Sequence, residues 1–305
     1  CTGAITRQRY RVLGNQTRLI QLEKIPNMAE ITVAQIGKLR QQTGAGLMDC
    51  KKALTENEGN MEAAIEWLRK KGAATAEKKS SRTTLEGVIA LNLSVDGKKG
   101  TLVEINCETD FVAKNDKFLE FCDEIATAYS ENPEADLEEK RTTAVAEIGE
   151  NIQLNRCESQ SIESSGAVAA YIHHGAKVGV LVAVATGKDE TTESETFKQL
   201  LNDITLQITA ASPEALDRDA LDQDNLEKER EIAREQFKDK PAQAIEKIVE
   251  GKIEKYYSEV CLVDQDFVKG EGSVKDYITA VAKELGDEIT IKAFTRFQVG
   301  ETQED

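Results

Sequence analysis

A strand–turn–strand–helix pattern that occurs twice along the chain is the feature that most restricts its fold. Apolar residues alternate from Gly87 onwards and on both sides of "DGKKG" (96–100), which predicts a β-hairpin. A second hairpin is predicted at residues 168–187, with its turn near Gly175. Apolar residues at helical spacing follow each hairpin, so we interpret the two segments as an internal repeat of two ββα halves. This pattern predicts an α+β fold.

Other segments flank or interrupt the repeat. Short helical patterns separated by glycines predict a three-helix unit whose third helix ends at Gly72. Charge-rich helical patterns on either side of Pro241 predict a coiled-coil hairpin. An alternating strand with Ile289 and Ile291 is expected to join the second sheet, which makes the hairpin an insertion in that half. The predicted boundaries are 28–72 for the three-helix unit, 73–86 for a linker, 87–166 for the first half, 167–212 with 263–301 for the second half, and 213–262 for the hairpin.

The composition argues against several classes of protein. No run of residues approaches the roughly 18 apolar residues of a membrane span. The net charge of −16 argues against nucleic acid as a direct partner, because phosphate binding depends on Lys and Arg. The six cysteines are far apart and form no CxxC pair, which is typical of reduced thiols and a cytoplasmic location. We interpret each cysteine as a small buried apolar residue.

Residues 1–27 differ from the rest of the chain because they are basic, with a single acidic residue, Glu23. Two interpretations stay open for this leader: an organelle transit peptide, or upstream sequence read in frame before a start at Met28. We leave the leader out of the fold prediction and expect it to be disordered.

The sequence predicts no catalytic site. The two histidines, His173 and His174, are adjacent at a hairpin turn, so they cannot easily hold one metal ion, and we expect one packed and one exposed ring. Glu147 and Glu150 are interpreted as part of a solvated face. The sequence carries no nucleotide-binding or nucleophile motif, and we predict no metal site, no cofactor and no enzymatic activity.

The segment "INCETDFVAKND" (105–116) places an aromatic residue, Phe111, in the middle of an acidic loop. Phe111 is either a buried staple for the helix that contains Phe118, or a side chain directed outward at a partner. The corresponding loop of the second half, "KDETTESE" (188–195), is a polar linker without an aromatic residue. The topology therefore does not require a phenylalanine, which favours the outward direction.

The segment "TDFVAK" (109–114) resembles bacterial translation elongation factor Ts, and the resemblance extends from Met28 to about Glu301. The other segments that resemble the family, in family order, are "LRQQTGAGLMDCKKAL" (39–54), "AIEWLRKKG" (64–72), "IGENI" (148–152), "HHGAKVGVLV" (173–182), "IVEGKIEKYYSEVCL" (248–262) and "QDFVK" (265–269). The resemblance implies a ubiquitin-associated-like (UBA-like) first domain, two related α/β subdomains and a projecting coiled-coil hairpin. This hairpin is a common dimer surface in the family, which leaves a homodimer open for this chain.

The resemblance implies a guanine nucleotide exchange factor that binds elongation factor Tu in its GDP-bound and nucleotide-free states. The family loop that dislocates Mg²⁺ from Tu corresponds to Thr109, Asp110, Phe111 and Val112. Phe111 is expected to enter an apolar pocket in the nucleotide domain of Tu, with Asp110 at the rim. No bond is made or broken, so the resemblance implies no catalytic residue.

The resemblance also carries other partner contacts over to this chain. They are Arg40, Leu47, Met48 and Lys51 in the first domain, and Lys79, Ile148, Gly149, His174 and Val268 after it. Local interpretations stay open: core packing for Leu47 and Met48, and a plain helix end for Gly149. Lys269 departs from the apolar residue that some members carry.

Two other classes of function account for less of the sequence. An adaptor that binds ubiquitin-like partners through residues 28–72 leaves "TDFVAK" and the repeat unexplained. An enzyme lacks a site. Nucleotide exchange on elongation factor Tu therefore explains more of the sequence than the adaptor or the enzyme hypothesis.

Overall fold

The computed structural model describes residues 31–301, so the predicted leader lies outside the described residues. The chain divides into two compact units, one that ends at Leu68 and one that begins at Arg69, and each is described by itself.

The first unit contains three helices, α1 (Val33–Thr43), α2 (Leu47–Glu56) and the start of α3 (Met61–Lys79). Thr32 and Gln35 form a capping box at the start of α1, which ends at Gly44 in the left-handed conformation. The small core of this unit is built around Leu39, Cys50 and Leu54. Three helices are therefore confirmed in this region.

The predicted end of the third helix at Gly72 is wrong. Helix α3 continues through Gly72 to Lys79, so it takes up the first part of the predicted linker. A glycine inside a helix costs only about 1 kcal/mol relative to alanine. The residues after Gly72 are mostly Ala, Glu and Lys, which favour the helix, and Ala76 is buried in the core of the first half.

The second unit contains both copies of the predicted ββα repeat. We call the copy that comes first in the chain the first half. Its elements are β1 (Glu86–Leu93), β2 (Lys99–Cys107), a 3₁₀ turn (Val112–Lys114), α4 (Asp116–Glu131), α5 (Glu138–Ile148) and β3 (Ile152–Ser161). The strands form one antiparallel sheet in the order β1-β2-β3. Strand β3 is missing from the sequence prediction, because its polar residues give no regular alternation.

The second half repeats this plan around a second antiparallel sheet. Its elements are β4 (Gly166–Ile172), β5 (Val178–Thr186), α6 (Asp189–Glu193), α7 (Glu195–Ala211), a 3₁₀ turn (Arg218–Ala220), α8 (Gln223–Gln236), α9 (Ala242–Val260), α10 (Val274–Leu285) and β6 (Ile289–Gln298). Strand β6 pairs with β5, which confirms that the end of the chain returns to this sheet. Helices α8 and α9 form a hairpin inserted between α7 and α10.

The loop "KDETTESE", predicted as a plain linker, contains the short helix α6. Its Thr191 side chain is buried and donates a hydrogen bond to Asp287. This side-chain bond gives the segment a fixed conformation despite its polar composition.

The two sheets pack against each other through an apolar core that includes Ile89, Leu102, Val168 and Leu181. Helix α4 covers the outer face of the first sheet, and α7 with α10 covers the outer face of the second. Two glycines permit the close approach of the sheets. A Cβ atom at Gly100 would lie 2.6 Å from Leu181 Cδ2, and one at Gly179 would lie 2.5 Å from Ile89 Cγ2.

The two strands and the first long helix of the halves match at one constant separation in sequence, and the elements after the α8–α9 insertion match at a larger one. Asn115 caps α4 and Ser194 caps α7, and the fully buried Phe118 of α4 corresponds to the fully buried Phe197 of α7. The strand register shifts after Glu104 in β2 and after Ala183 in β5. Because of these matches, each position of the first half can be compared with a corresponding position of the second half.

Two findings within the described residues bear on the expectations from composition. No helix within residues 31–301 is long and apolar enough to cross a membrane. Four cysteines are buried and free, and a fifth, Cys157, is half-buried. Cys1 lies outside the described residues.

We expect Gly179→Ala to lower the free energy of unfolding by about 1–3 kcal/mol, because the new methyl group would clash with Ile89 between the sheets. Gly251→Ala is the matched control. Apart from the backbone of α9 itself, no atom lies within 4 Å of a Cβ at Gly251, and alanine favours a helix by roughly 0.5–1 kcal/mol. Urea unfolding measures both variants. A Gly179→Ala protein as stable as the parent would contradict this packing.

Candidate partner-binding site

The loop between β2 and α4, residues 108–115, presents an aromatic side chain to solvent; we call it the Phe111 loop. The Phe111 side chain is 81% exposed. Its neighbours point the other way, because Ala113 is buried and Val112 packs on the core of the first half. Phe118 itself fills that core. Phe111 is therefore directed outward and is no staple for α4.

A carboxylate from the turn between α5 and β3 fixes the base of the Phe111 loop. Glu150 accepts hydrogen bonds from the backbone N–H groups of Glu108 at 3.1 Å and Thr109 at 3.0 Å. It also accepts a bond of 2.7 Å from the Thr109 hydroxyl. In return, the Glu108 carboxylate accepts a 2.6 Å bond from the Asn151 N–H. We call this reciprocal set of bonds the Glu150 clamp.

The prediction that Glu150 belongs to a solvated face is wrong. Helix α5 ends at Gly149, whose φ of 91° is left-handed and favours glycine. The chain reverses there, so the Glu150 side chain meets the Phe111 loop. A helix–glycine–acid sequence is the signal that sequence reasoning missed.

Two further contacts hold the loop. The Cys107 thiol donates to the Thr109 carbonyl at 3.2 Å, and burial raises the pKa of Cys107 to about 12, so the thiol keeps its proton at neutral pH. Lys114 Nζ lies 2.8 Å from Asp110 Oδ2, and its hydrogen bond holds the pKa of Asp110 below the usual range. The Lys114–Asp110 pair is exposed and contributes little to stability. Asp110 is therefore charged at neutral pH, beside the Phe111 side chain.

The second half contains the same anchoring arrangement without the aromatic residue. Gly286 ends α10 in the left-handed conformation, and Asp287 follows it as Glu150 follows Gly149. Asp287 accepts from the Lys188 N–H at 3.1 Å and from the Thr191 hydroxyl. The position that corresponds to Phe111 is Glu190. The anchor therefore belongs to the repeat, whereas the apolar tip belongs to the first half alone.

Three of the predicted contact residues lie together beside the Glu150 clamp. The Lys79 ammonium donates to the Gly149 carbonyl, and Lys79 is the last residue of α3. Ile148 is half-buried against the core of the first half. Gly149 is a helix end, as the local interpretation held, and it also accepts the bond from Lys79.

His174 lies in the turn between β4 and β5. Both histidines are exposed at the end of the hairpin, so the expectation of one packed ring is wrong. The His173 N–H still pairs with Val178 O, and the Tyr171 hydroxyl lies 3.2 Å from Nδ1 of the His173 ring. The turn is tied to the first sheet, because the Ile89 N–H donates to Ala176 O at 2.8 Å. Lys177 Nζ also lies 2.6 Å from Glu86 Oε2.

Val268 follows the helical hairpin and is 55% exposed. Its N–H donates to Oε1 of the buried Gln207 at 2.9 Å, which fixes the backbone below the side chain. Lys269, the residue that departs from the family pattern, pairs with Asp203 within the chain at 2.7 Å. Burial alone would raise the pKa of Asp203, but hydrogen bonds, the largest from Lys269, lower it.

The predicted contacts of the first unit are all on its surface. Leu47 is 54% and Met48 is 72% exposed at the start of α2, so core packing does not account for them. Arg40 and Lys51 are exposed as well. Within residues 31–301, no group of three or more His, Cys, Asp or Glu side chains is arranged to hold a metal ion.

Exposed apolar side chains on fixed backbone are typical of surfaces that bind another protein. Comparison with known proteins gives the family. The model of the family described as "Elongation factor TS" matches residues 108–301. An elongation factor Ts from Nautilia profundicola is 45% identical over 291 residues, which cover 90% of this chain and 94% of the relative.

Other relatives agree. Elongation factor Ts from Trichlorobacter lovleyi is 44% identical over 89% of this chain and 93% of its own length. The protein of that name from Desulfovibrio desulfuricans is 42% identical over 89% of this chain and 99% of its own length. The chain therefore belongs to the elongation factor Ts family of translation elongation factors.

We expect Glu150→Gln to loosen the Phe111 loop, because hydrogen bonds to a charged acceptor contribute about 1.5–3 kcal/mol. Amide hydrogen exchange at Thr109 should accelerate roughly tenfold or more. Asp287→Asn is the matched control, which should accelerate exchange at Lys188 and leave Thr109 unchanged. Unchanged protection of Thr109 in Glu150→Gln would show that the clamp does not hold the loop.

Proposed function

We propose that this chain is a guanine nucleotide exchange factor for elongation factor Tu, and that the Phe111 loop promotes the release of GDP. The observation that carries the proposal is an 81% exposed phenylalanine on a loop fixed by the Glu150 clamp. Phe111 enters an apolar pocket in the nucleotide domain of Tu, and the charged Asp110 binds at its rim. Thr109 and Val112 hold Asp110 and Phe111 in position.

The energy available from such a contact is sufficient to shift a nucleotide site. Burial of a phenylalanine contributes on the order of 1.5–3 kcal/mol, which corresponds to roughly a tenfold to hundredfold change in an equilibrium constant. The loop is already fixed before binding, so little of this energy is spent on ordering it. A flexible loop of the same sequence would yield less binding energy, because part of it would be spent on ordering the loop.

The Mg²⁺ of the partner is the target of this energy. Mg²⁺ requires nearly ideal octahedral geometry at about 2.0–2.1 Å, so a small displacement of its protein ligands weakens its binding and that of the phosphates. Linkage makes the effect reciprocal: a chain that weakens GDP binding is bound less tightly in the presence of GDP. No covalent bond changes, so the activity requires no acid, base or nucleophile.

The remaining exposed contacts extend the proposed interface. Arg40, Leu47, Met48 and Lys51 dock the first unit, as a UBA-like module, on Tu. Lys79, Ile148, Gly149, His174 and Val268 add contacts from the second unit. The helical hairpin α8–α9 is proposed to be a coiled coil that serves as a surface for homodimers. Nucleic acid takes no direct part.

The experiment measures the release of a fluorescent GDP analogue from elongation factor Tu. We expect the parent chain to accelerate release at micromolar concentration and Phe111→Ala to lower that acceleration at least tenfold. The free energy of unfolding should change by no more than about 0.5 kcal/mol, because Phe111 is exposed. Glu190→Ala, at the corresponding position of the second half, should leave release unchanged.

Two results would contradict this proposal. Failure of the parent chain to accelerate release would reject exchange as the function. Acceleration that survives Phe111→Ala would retain exchange but reject the role of the loop.

A further inference from the structure

A groove between α4 and α5 lies on the outer side of the first half. Its volume is about 640 Å³. Apolar side chains of Phe121, Leu137 and Ile148 contribute to its lining. Its charged lining residues are Lys117, Glu120, Glu124, Asp136, Glu139, Lys140 and Glu147, so acidic residues outnumber basic ones. The groove is thus apolar within and mostly acidic at its edge.

The corresponding groove of the second half, between α7 and α10, is filled by the chain itself. The segment that returns from the helical hairpin places Phe267 there, only 8% exposed and part of the apolar core. The Phe267 ring stacks on Tyr277, with centroids 4.2 Å apart and planes inclined by 12°. Two residues later, Lys269 Nζ pairs with Asp203 Oδ1 at 2.7 Å.

The repeat assigns counterparts to these contact residues in the first half. Asp203 of α7 corresponds to Glu124 of α4, and Tyr277 of α10 corresponds to Lys140 of α5. The pairs even interact alike, since the Tyr277 hydroxyl donates to Asp203 and the Lys140 ammonium to Glu124. The first half has only a short turn between α4 and α5 and therefore no insertion to fill its groove.

We propose that the α4–α5 groove binds a segment of a partner protein in which an aromatic residue precedes a Lys or Arg by two positions. The aromatic ring would pack between Leu137 and Phe121, as Phe267 packs in the second half. The basic side chain of the partner would reach Glu124, as Lys269 reaches Asp203. The acidic edge of the groove attracts that basic side chain.

The occupant of the α4–α5 groove is a different protein, because residues 31–301 of this chain contain no accessible segment of the required kind. Phe267 is buried in its own half. The other segments of this pattern among the described residues, 67–69 and 294–296, lie within α3 and β6. Neither this part of the chain nor the same part of a second copy therefore offers such a segment without unfolding. The groove also reaches Ile148, next to Gly149 and the Glu150 clamp, which makes it continuous with the surface described above. The inference does not depend on nucleotide exchange and is tested without elongation factor Tu.

The probe is a fluorescein-labelled peptide, QNFVKG, which copies residues 265–270 with Asp266 replaced by Asn to remove a negative charge. Fluorescence anisotropy with the full chain should show saturable binding below about 1 mM. Glu124→Lys should weaken binding at least tenfold, as should replacement of the peptide's Phe by Ala. Glu250→Lys, the same change at an exposed position of α9, should leave the affinity unchanged.

A second groove variant keeps the test valid if Glu124→Lys fails to fold. Thr143 is exposed and lines the groove, so Thr143→Arg should block the peptide while the thermal midpoint stays near that of the parent. Absence of saturable binding overturns the proposal, as does binding that both groove variants leave intact. Self-association of the chain that Thr143→Arg abolishes would identify a second copy as the occupant and overturn it as well.

Discussion

The Glu150 carboxylate accepts hydrogen bonds from two backbone N–H groups and one hydroxyl of the Phe111 loop, and the exposure of Phe111 depends on it. A large apolar side chain in water normally turns back onto the protein surface when its loop is free to move. The clamp prevents this, because it fixes the loop base while Val112 and Ala113 pack on the core. Gly149 makes the clamp available by reversing the chain at the end of α5.

The duplication explains how one scaffold carries two different surfaces. Both halves anchor the loop after their second strand with an acid that follows a left-handed glycine, Glu150 in one and Asp287 in the other. The first half adds an aromatic tip and leaves its helical groove open. The second half has Glu190 at the tip position and fills its groove with Phe267. Insertion of the α8–α9 hairpin supplied that filling segment, so the halves share a core and differ at their surfaces.

The sequence predicts most of the architecture, because strong periodic patterns are local. Both hairpins, the helices that contain Phe118 and Phe197, and the return of β6 to the second sheet follow from apolar spacing. The failures have tertiary causes. Strand β3 is polar and is defined by its pairing with β2, and α3 passes through Gly72 because alanines follow. The Glu150 clamp joins residues more than forty positions apart, which no local pattern reveals. The outward direction of Phe111 could be inferred by comparing the two halves and from the family resemblance, and no local pattern indicates it.

The central claim is that Glu150 acts on nucleotide release through the position of Phe111. A double-mutant cycle on GDP release from elongation factor Tu tests it directly, since coupled residues give non-additive losses. Glu150→Gln alone should slow the accelerated release by roughly threefold to tenfold if loosening removes about half of the 1.5–3 kcal/mol of Phe111 burial. In a Phe111→Ala background it should have no further effect. Losses that multiply in the double variant would show that Glu150 and Phe111 act independently, which would contradict the account.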